Sequence, residues 1–252
     1  MKIYEICFSP TGGTRKVADC LAAAWSRNAV TFLDLTERTA GPAALTADDL
    51  AIIAVPSYSG RVPAPAARRL EQIQGNGAKA LLVCVYGNRA YEDTLVELQD
   101  GAQQAGFTVV AAVAAVAEHS IVRRYAANRP DAEDRAQLTA FTARIAQKLA
   151  RQDYSTPTLP GHRPYRKASR VGFVPKATRA CTRCGVCAAQ CPVGAIDPVR
   201  PDRVDSKACI SCMRCVAVCP HHARKVNGLL LFLAGRMLKK VCSERKSCEL
   251  FL

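Results

Sequence analysis

Two copies of one cysteine pattern dominate the second half of this chain. Residues 181–192 read CTRCGVCAAQCP and residues 209–220 read CISCMRCVAVCP, an offset of 28 positions. In each copy two, two and three residues separate the cysteines, and a proline follows the fourth. Eight thiolates at this spacing can hold two cubane iron-sulfur clusters, which exchange electrons one at a time.

The spacing also predicts which cysteines share a cluster. Three cysteines two residues apart surround one cluster, whereas the fourth begins a segment that carries it to the other cluster. The proline after it turns the chain away without leaving an N–H group unpaired. The expected ligands are Cys181, Cys184, Cys187 and Cys219 for one cluster and Cys209, Cys212, Cys215 and Cys191 for the second.

Zinc and disulfides are the alternatives for these cysteines. Zinc sites use separated cysteine pairs, and neither quartet divides into such pairs without surplus thiolates. Cysteines two residues apart are poorly placed for disulfides. The two motifs resemble bacterial-type ferredoxins with two 4Fe-4S clusters, and the resemblance covers residues 177–226. The remaining cysteines, for which the sequence suggests no site, are Cys7, Cys20, Cys84, Cys242 and Cys248.

The first 150 residues alternate between predicted strands and helices. Runs rich in Val, Ile and Leu predict strands at 3–8, 30–33, 50–55, 80–85 and 107–116. Helical patterns lie at 14–25, 65–74, 91–105 and 131–151. This alternation predicts an α/β fold with a doubly wound, five-stranded parallel sheet. Ligands of such sheets bind beyond the carboxyl ends of the strands, so the loops after strands one, three and four are the places to look.

The loop after the first strand has the composition of a phosphate-binding loop. It reads SPTGGTRK from Ser9 to Lys16 and opens a helix. Glycines let backbone N–H groups approach phosphate oxygens, and the helix N-terminus adds favourable partial charge. No Gly-Lys-Ser/Thr follows, which argues against ATP hydrolysis. A hydroxyl-rich turn before a helix can also be a simple cap.

This first loop resembles the flavodoxin phosphate signature, and two later loops, PSYSGRVP at 56–63 and VYGNRAYED at 85–93, strengthen the likeness. The resemblance implies FMN, with its phosphate on the first loop, its N5 edge beside the second and its pyrimidine side along the third. Ser57 departs from the hydrophobic residue that relatives place there. The implied FMN contacts are Ser9, Thr11, Gly12, Gly13, Thr14, Ser57, Tyr58, Ser59, Gly60, Tyr86, Gly87, Asn88, Tyr91 and Asp93.

The whole chain resembles the flavodoxin-ferredoxin fusion proteins of anaerobic electron metabolism. The implied organisation is a flavodoxin-like FMN domain at 1–152, a surface linker at 153–176, a small α+β two-cluster ferredoxin domain at 177–226 and a C-terminal helix and tail at 227–252. The flavodoxin-like sheet would have strand order 2-1-3-4-5. The expected function is electron transfer between FMN and two 4Fe-4S clusters, which couples two-electron and one-electron carriers.

Two other functions stay open. The flavin could reduce a quinone or another small acceptor, or take hydride from a nicotinamide, although no second dinucleotide fold is evident. The flavodoxin-like part could also be an empty docking module. Electron transfer itself needs no acid–base residues, and none is predicted.

Charge and composition point to a protein partner. The formal net charge is +14, of which residues 151–252 carry +13. A basic cluster domain can steer an acidic redox protein, and its few aromatic residues argue against nucleic acid. A homodimer is compatible with the sequence. An odd number of cysteines outside the motifs and the absence of a signal peptide favour a cytoplasmic protein.

The C-terminal helix is predicted to be amphipathic and to pack on the body of the protein. The apolar stretch GLLLFLAG is too short for a transmembrane segment, which needs about 20 residues. A helix on a membrane surface, with Arg236, Lys239 and Lys240 toward the lipid, is the alternative.

Overall fold

The computed structural model describes residues 1–25, 29–39, 41–169 and 172–252. Its strands are β1 (Ile3–Cys7), β2 (Val30–Asp34), β3 (Ala43–Ala44), β4 (Leu50–Pro56), β5 (Ile73–Gln74), β6 (Lys79–Tyr86), β7 (Thr108–Val116), β8 (Lys176–Ala177), β9 (Arg224–Lys225) and β10 (Glu249–Phe251). Its α-helices are α1 (Gly13–Ala22), α2 (Ala64–Leu70), α3 (Thr94–Gln104), α4 (Ala132–Ala150), α5 (Val186–Ala189), α6 (Arg214–Ala217) and α7 (Gly228–Cys242).

The main sheet has the order β10-β7-β6-β4-β1-β2. Strands β2, β1, β4, β6 and β7 are parallel, as the alternation of strands and helices predicted. Its central strands consist almost wholly of buried residues, because helices cover both faces. The fold is therefore α/β and doubly wound.

Two apolar clusters lie on opposite faces of this sheet. One packs α2 and α3 against residues such as Ile53 and Leu82, and the other packs α1 and α4 against Ile52 and Leu81. Neighbouring residues of one strand point to opposite faces, so each central strand contributes to both clusters. The three predicted loops follow the carboxyl ends of β1, β4 and β6.

A sixth strand corrects the prediction of a five-stranded sheet. Strand β10, from the C-terminal tail, pairs antiparallel with β7, and its Leu250 lies opposite Val113. The prediction missed it because a three-residue strand at the edge of a sheet carries too short a pattern to recognise.

Two helix predictions were wrong at their ends. The helix expected at 65–74 stops at Leu70, and Ile73–Gln74 instead forms strand β5, which pairs with β3. The helix expected at 91–105 begins at Thr94, because Tyr91 to Asp93 belong to the preceding loop. The helices predicted at 14–25 and 131–151 lie at α1, with a 3₁₀ turn after it, and at α4.

The segment expected to be a linker, 153–176, is extended and held to the first domain by specific bonds; its residues 170 and 171 lie outside the described part. The buried carboxylate of Asp93 accepts the N–H groups of Arg166 at 2.8 Å and His162 at 2.9 Å, which holds the pKa of Asp93 below its ordinary value. Arg163 pairs with Asp100 at 2.6 Å. The linker is thus fixed along the start of α3.

The cysteine-rich segment forms a small α+β unit. The short helices α5 and α6 each begin one residue before the third cysteine of a motif. Strand β8 pairs antiparallel with β9. A single antiparallel bridge joins Ile196 and Val204. Its apolar core contains Cys187, Ala188 and Cys191.

Helix α7 contradicts the expectation that the C-terminal helix buries its apolar residues. Only Gly235 and Cys242 are buried, whereas Leu229 is 67% and Met237 81% exposed. The helix touches the body through a narrow strip that meets the loop at Val122. No helix within the described residues is long and apolar enough to cross a bilayer.

Candidate redox centres

The first predicted cysteine quartet lines one concave site. Three thiols of the first motif, Cys181, Cys184 and Cys187, meet Cys219 of the second motif around this concavity. The structure therefore brings together the four residues that the spacing assigned to one cluster, including the fourth ligand from the other copy.

The second quartet is also assembled. Burial, together with the neighbouring Cys215, Cys191 and Cys209, raises the pKa of Cys212 to about 12. Burial likewise raises the pKa of Cys215 to about 12. Metal ions bind the deprotonated thiolate, so a cluster bound here would displace the thiol protons.

The donor set suits a cluster of several irons. Zinc binds its donors about 2.0–2.3 Å from one ion. In residues 1–25, 29–39, 41–169 and 172–252, no three His, Cys, Asp or Glu side chains are arranged to hold a single metal ion. All thirteen cysteines are free of disulfides.

The two copies share their backbone as well as their cysteines. Arg183 and Ser211 occupy equivalent positions and both have positive φ, 58° and 55°. The next such pair is Gly185 at 79° and Met213 at 62°. Side chains other than glycine rarely adopt this conformation, so the loop around the thiols imposes it.

Backbone N–H groups also reach the sulfurs symmetrically. The N–H of Ala195 points at Cys191 Sγ at 3.3 Å, and the N–H of Ala223 points at Cys219 Sγ at 3.2 Å. Hydrogen bonds to cluster sulfurs stabilise the more negative, reduced form.

The first loop has the geometry of an anion cradle. Gly12 has a φ of 87°, with open space where a Cβ would lie, and α1 begins directly after it. Among the backbone amides at the start of α1, the N–H group of Arg15 donates to Ser9 Oγ at 2.9 Å. The N–H groups of Thr11, Gly13 and Thr14 meet no acceptor in the described part of the chain. The loop fits a phosphate group.

The second loop is a tight turn. Tyr58 and Arg61 exchange backbone hydrogen bonds of 3.0 and 3.2 Å, and Ser59 and Gly60 between them have positive φ. Gly60 packs so closely against Glu92 that a side chain would not fit. Ser57, by contrast, turns its hydroxyl to Thr94 Oγ1 at 2.8 Å, toward α3.

The polar groups of the third loop bind other parts of the chain. Buried Asn88 donates to the carbonyls of Cys242 at 2.9 Å and Glu244 at 2.7 Å and accepts from Lys246 N–H at 3.3 Å. Tyr91 donates to Glu249. The structure thus places Asn88 and Tyr91 against the C-terminal tail, and Asp93 against the linker. No pattern in the sequence indicated this role.

Gly87 and Tyr86, the other predicted third-loop residues, are packed tightly. A Cβ on Gly87 would lie 2.8 Å from the ring of His119. Tyr86 is buried, and its ring meets that of Tyr91 edge to face at 5.2 Å. Beside them opens a cavity of about 580 Å³. Its lining includes the polar residues Arg89, Glu92, Asp93, His162, Arg166 and Lys246.

The comparison with protein families decides the nature of the cysteine-rich unit. A family model described as 4Fe-4S dicluster domain matches residues 180–224. This unit is a 4Fe-4S dicluster domain. The two clusters and an electron-transfer role follow from that match together with the two quartets. A search of curated proteins found no match.

Solved structures resemble the first part of the chain. A flavodoxin from Streptococcus pneumoniae is 20% identical, with a TM-score of 0.39, over 58% of this chain and 97% of its own. A Fusobacterium nucleatum flavodoxin bound to flavin mononucleotide is 16% identical over 59% and 99%, with a TM-score of 0.39. The rubredoxin oxygen:oxidoreductase of Desulfovibrio gigas is 17% identical over 60% and 36%, with a TM-score of 0.42.

The dicluster domain lies directly over the first two loops. Its Arg214 donates to the carbonyl of Pro10 at 3.2 Å, and the Nε of Arg214 is buried without a partner in the described residues. A guanidinium with a spare donor beside the amide cradle favours an anion there. Arg214 lies between two cysteines of the second motif. The sequence therefore did not indicate that its side chain reaches the first loop.

The second cluster site faces the second loop. Burial raises the pKa of Tyr58 well above its ordinary value, and the nearby Cys212 adds to the rise. Ile210, between two cluster ligands, packs against the same apolar cluster as Tyr58. Arg69 of α2 donates to the carbonyl of Pro192 at 2.5 Å. The flavodoxin-like fold and the dicluster domain are therefore in contact at the carboxyl ends of the strands.

Proposed function

We propose that this protein transfers electrons between FMN, bound at the carboxyl ends of the strands, and the two clusters of its dicluster domain. The contacts between the dicluster domain and the first two loops carry the proposal, because Arg214 bonds to Pro10 O and Ile210, between two cluster ligands, packs on the same apolar cluster as Tyr58. FMN exchanges one or two electrons and each cluster exchanges one, so the pair can link carriers of both kinds.

The first loop would bind the phosphate of FMN. The free amides of Thr11, Gly13 and Thr14 are its donors, and Arg214 adds positive charge from the dicluster domain. The turn at Ser59 and Gly60 would border the ring. Because the polar groups of Asn88 and Asp93 already bind the tail and the linker, we expect the third loop to contribute through Tyr86 and its backbone.

Burial suggests an order for the two clusters. Cys212 is buried next to the flavodoxin-like part, whereas Cys184 of the first cluster site is exposed. The first cluster would therefore exchange electrons with an external partner. Arg183 and His221 line that site, and the surrounding half of the chain is basic, which favours an acidic redox protein. Rates that do not change with ionic strength would contradict this partner.

One experiment tests cofactor content and the flavin site together. The protein is purified without oxygen, and iron, sulfide and FMN are measured per chain. Thr14→Val removes a hydroxyl at the cradle, and Thr142→Val, a buried threonine of α4, is the matched control. Since hydrogen bonds to charged groups contribute about 1.5–3 kcal/mol, Thr14→Val should weaken FMN binding about tenfold or more.

The iron content should be the same in both variants. Protein without FMN, or equal FMN affinity in Thr14→Val and Thr142→Val, would contradict the flavin site. Absence of eight irons per chain together with no paramagnetic signal after dithionite would contradict the relay.

The cavity beside the third loop favours a second candidate, a flavin-dependent reductase of a small acceptor. Cations and carboxylates both line this cavity, and Arg89 and Arg166 pair there with Glu92. Mixing the holoprotein with NADH or NADPH distinguishes the two functions. Rapid bleaching of the flavin supports the enzyme, whereas reduction only by a reduced carrier protein supports the relay.

A further inference from the structure

One position breaks the symmetry of the two cysteine motifs. The first copy continues CPVGAI and the second continues CPHHAR, so Ile196 and Arg224 are equivalent. Both are buried, at 3% and 2% exposure. An aliphatic residue of the first copy is thus replaced by a cation at an equally buried place in the second.

The guanidinium of Arg224 lies at the first cluster site. It lines the same concavity as Cys181 and Cys219, and its Nη2 is 3.6 Å from Cys187 Sγ. It also donates to the carbonyls of Pro175 and Pro201. Its Nε has no partner in the described residues.

The protein itself does not neutralise this charge. Among the described residues, no Asp or Glu forms an ion pair with Arg224. A buried charge with only neutral partners is costly. Four thiolates around iron leave a cluster with net negative charge, and this charge grows when the cluster accepts an electron. The cluster is therefore the anion that Arg224 can balance.

We infer that Arg224 raises the reduction potential of the cluster held by Cys181, Cys184, Cys187 and Cys219, because a fixed cation beside Cys187 stabilises the reduced cluster more than the oxidised one. This inference rests on the proposed function only in requiring both clusters to be bound. The charge of Arg224 also acts on Cys209 and Cys215 of the second cluster, but its close approach to Cys187 makes its effect larger on the first cluster.

Redox titration of the oxygen-protected holoprotein, followed by electron paramagnetic resonance, tests the inference. Arg224→Gln removes the charge and keeps a hydrogen-bonding side chain, Arg224→Ile copies the first repeat, and Arg224→Lys keeps the charge. The two neutral variants should lower the potential of the first cluster by about 59 mV, a tenfold change in its one-electron equilibrium constant, and that of the second cluster by less. Arg224→Lys should stay within a third of that shift.

Arg183→Gln is the matched control, since Arg183 borders the same site but its side chain is 65% exposed. Solvent screens its charge, so its variant should change the potential little. Neutral variants that hold eight irons and keep both wild-type potentials would overturn the inference, and so would an equal shift in Arg183→Gln. If Arg224→Ile fails to fold, the comparison of Arg224→Gln with Arg224→Lys decides. A wild type without clusters would instead refute the proposed function.

A second inference concerns helix α7 and needs no cofactor. Its exposed surface combines an apolar stripe with a basic one. The stripe consists of Leu230, Leu233, Met237 and Val241, which recur at helical spacing and are each at least 46% exposed. Leu229 and Phe232 extend this surface at the start of the helix.

The charge of α7 has one sign. Residues 228–242 contain Arg236, Lys239 and Lys240 and no Asp or Glu. The loop behind the helix adds Arg124, whose guanidinium lies against Gly235. Two copies packed through this face would bring like charges together, which disfavours a dimer here.

The arrangement of apolar and basic residues on α7 fits binding to a lipid surface. The apolar stripe and the basic residues Arg236, Lys239 and Lys240 run side by side along the exposed surface of α7. Interfacial helices bury their apolar residues about 5–10 Å deep while Lys and Arg stay among the headgroups. We propose that α7 binds the surface of an anionic bilayer, with the stripe of Leu230, Leu233, Met237 and Val241 in the acyl boundary and Arg236, Lys239 and Lys240 at the headgroups.

Co-sedimentation of the full-length holoprotein with vesicles tests this proposal. Phosphatidylcholine vesicles are compared with vesicles of phosphatidylcholine and phosphatidylserine at about two to one. Binding should occur on the mixed vesicles and fall at least about tenfold in Leu233→Gln/Met237→Gln. Lys239→Gln/Lys240→Gln should also weaken it about tenfold or more, since each basic residue contributes about 1 kcal/mol.

Val199→Gln is the control, because Val199 is 86% exposed on the dicluster domain. It should bind as the wild type does. The proposal is overturned if the mixed vesicles do not sediment the protein, or if the α7 variants bind unchanged. It is equally overturned if light scattering shows a dimer that Leu233→Gln/Met237→Gln converts to a monomer, because a second copy then covers the face.

Discussion

Replacing Asn88 with glycine should release the C-terminal strand from the sheet. The Asn88 side chain makes three hydrogen bonds to the backbone of residues 242–246, at 2.9, 2.7 and 3.3 Å. At about 1 kcal/mol each, they contribute about 3 kcal/mol to holding this segment. Glycine is the suitable replacement because Asn88 has a φ of 66°, which alanine would adopt only with strain.

Hydrogen exchange of the β10 amides measures this loss. A destabilisation of about 3 kcal/mol lowers their protection about 150-fold. Asn76→Gly is the matched control, because Asn76 also has a positive φ, 47°, and donates one bond, to Leu45 O at 3.0 Å. Protection of β10 that is the same in Asn88→Gly and Asn76→Gly would refute this reasoning.

Three further predictions concern the flavodoxin-like part. Burial, with help from the Asp19 carboxylate, raises the pKa of Glu5 to about 7, so stability should fall as pH rises from about 4.5 to about 7; urea midpoints of Glu5→Gln should lack this fall. Asp134→Ala should cost about 3–5 kcal/mol in urea unfolding, because it leaves Arg129 as a buried charge, and a loss below 1 kcal/mol would contradict this. Gly87→Ala should cost about 1–3 kcal/mol in the same assay, since its Cβ would meet His119; an unchanged midpoint would show that the His119 ring moves aside.

The predicted pH dependence of Glu5 arises because Arg15 lies between the carboxyl groups of Glu5 and Asp19. Its Nε lies 2.7 Å from Glu5 Oε1 but donates its hydrogen to Asp19 at 2.6 Å. Glu5 Oε1 is therefore buried without a hydrogen bond within the described structure. The carboxyl group is protonated in both states below pH 4.5, and above it only the unfolded state ionises freely. That difference removes stability as pH rises.

Features with strong local signals were predictable from the sequence. Continuous apolar runs predicted the central strands, since a parallel strand is buried on both faces. The cysteine spacing predicted both quartets, because loop geometry near the cluster is set within a few residues. The glycines and hydroxyls of the first loop predicted its cradle for the same reason.

Features that depend on distant contacts were not predictable. Asn88 and Asp93 follow a strand, as flavin contacts would, and only the folded chain shows that the tail and the linker occupy their polar groups. The burial of α7 was predicted from its apolar residues, but amphipathic periodicity does not say which body covers an apolar face. Strand β10 forms because the tail is held beside β7 by bonds from other segments.

The pairing of β10 with β7 means that the dicluster domain is inserted between two anchored stretches of polypeptide. The chain leaves the sheet along α3, builds the cluster-binding unit and returns to the sheet edge. A domain attached at both ends samples far fewer orientations than one attached through a single flexible linker. The distance between its cysteine sulfurs and the carboxyl ends of the strands therefore varies little. A single backbone cleavage, either before or after the dicluster domain, would leave two fragments that stay associated.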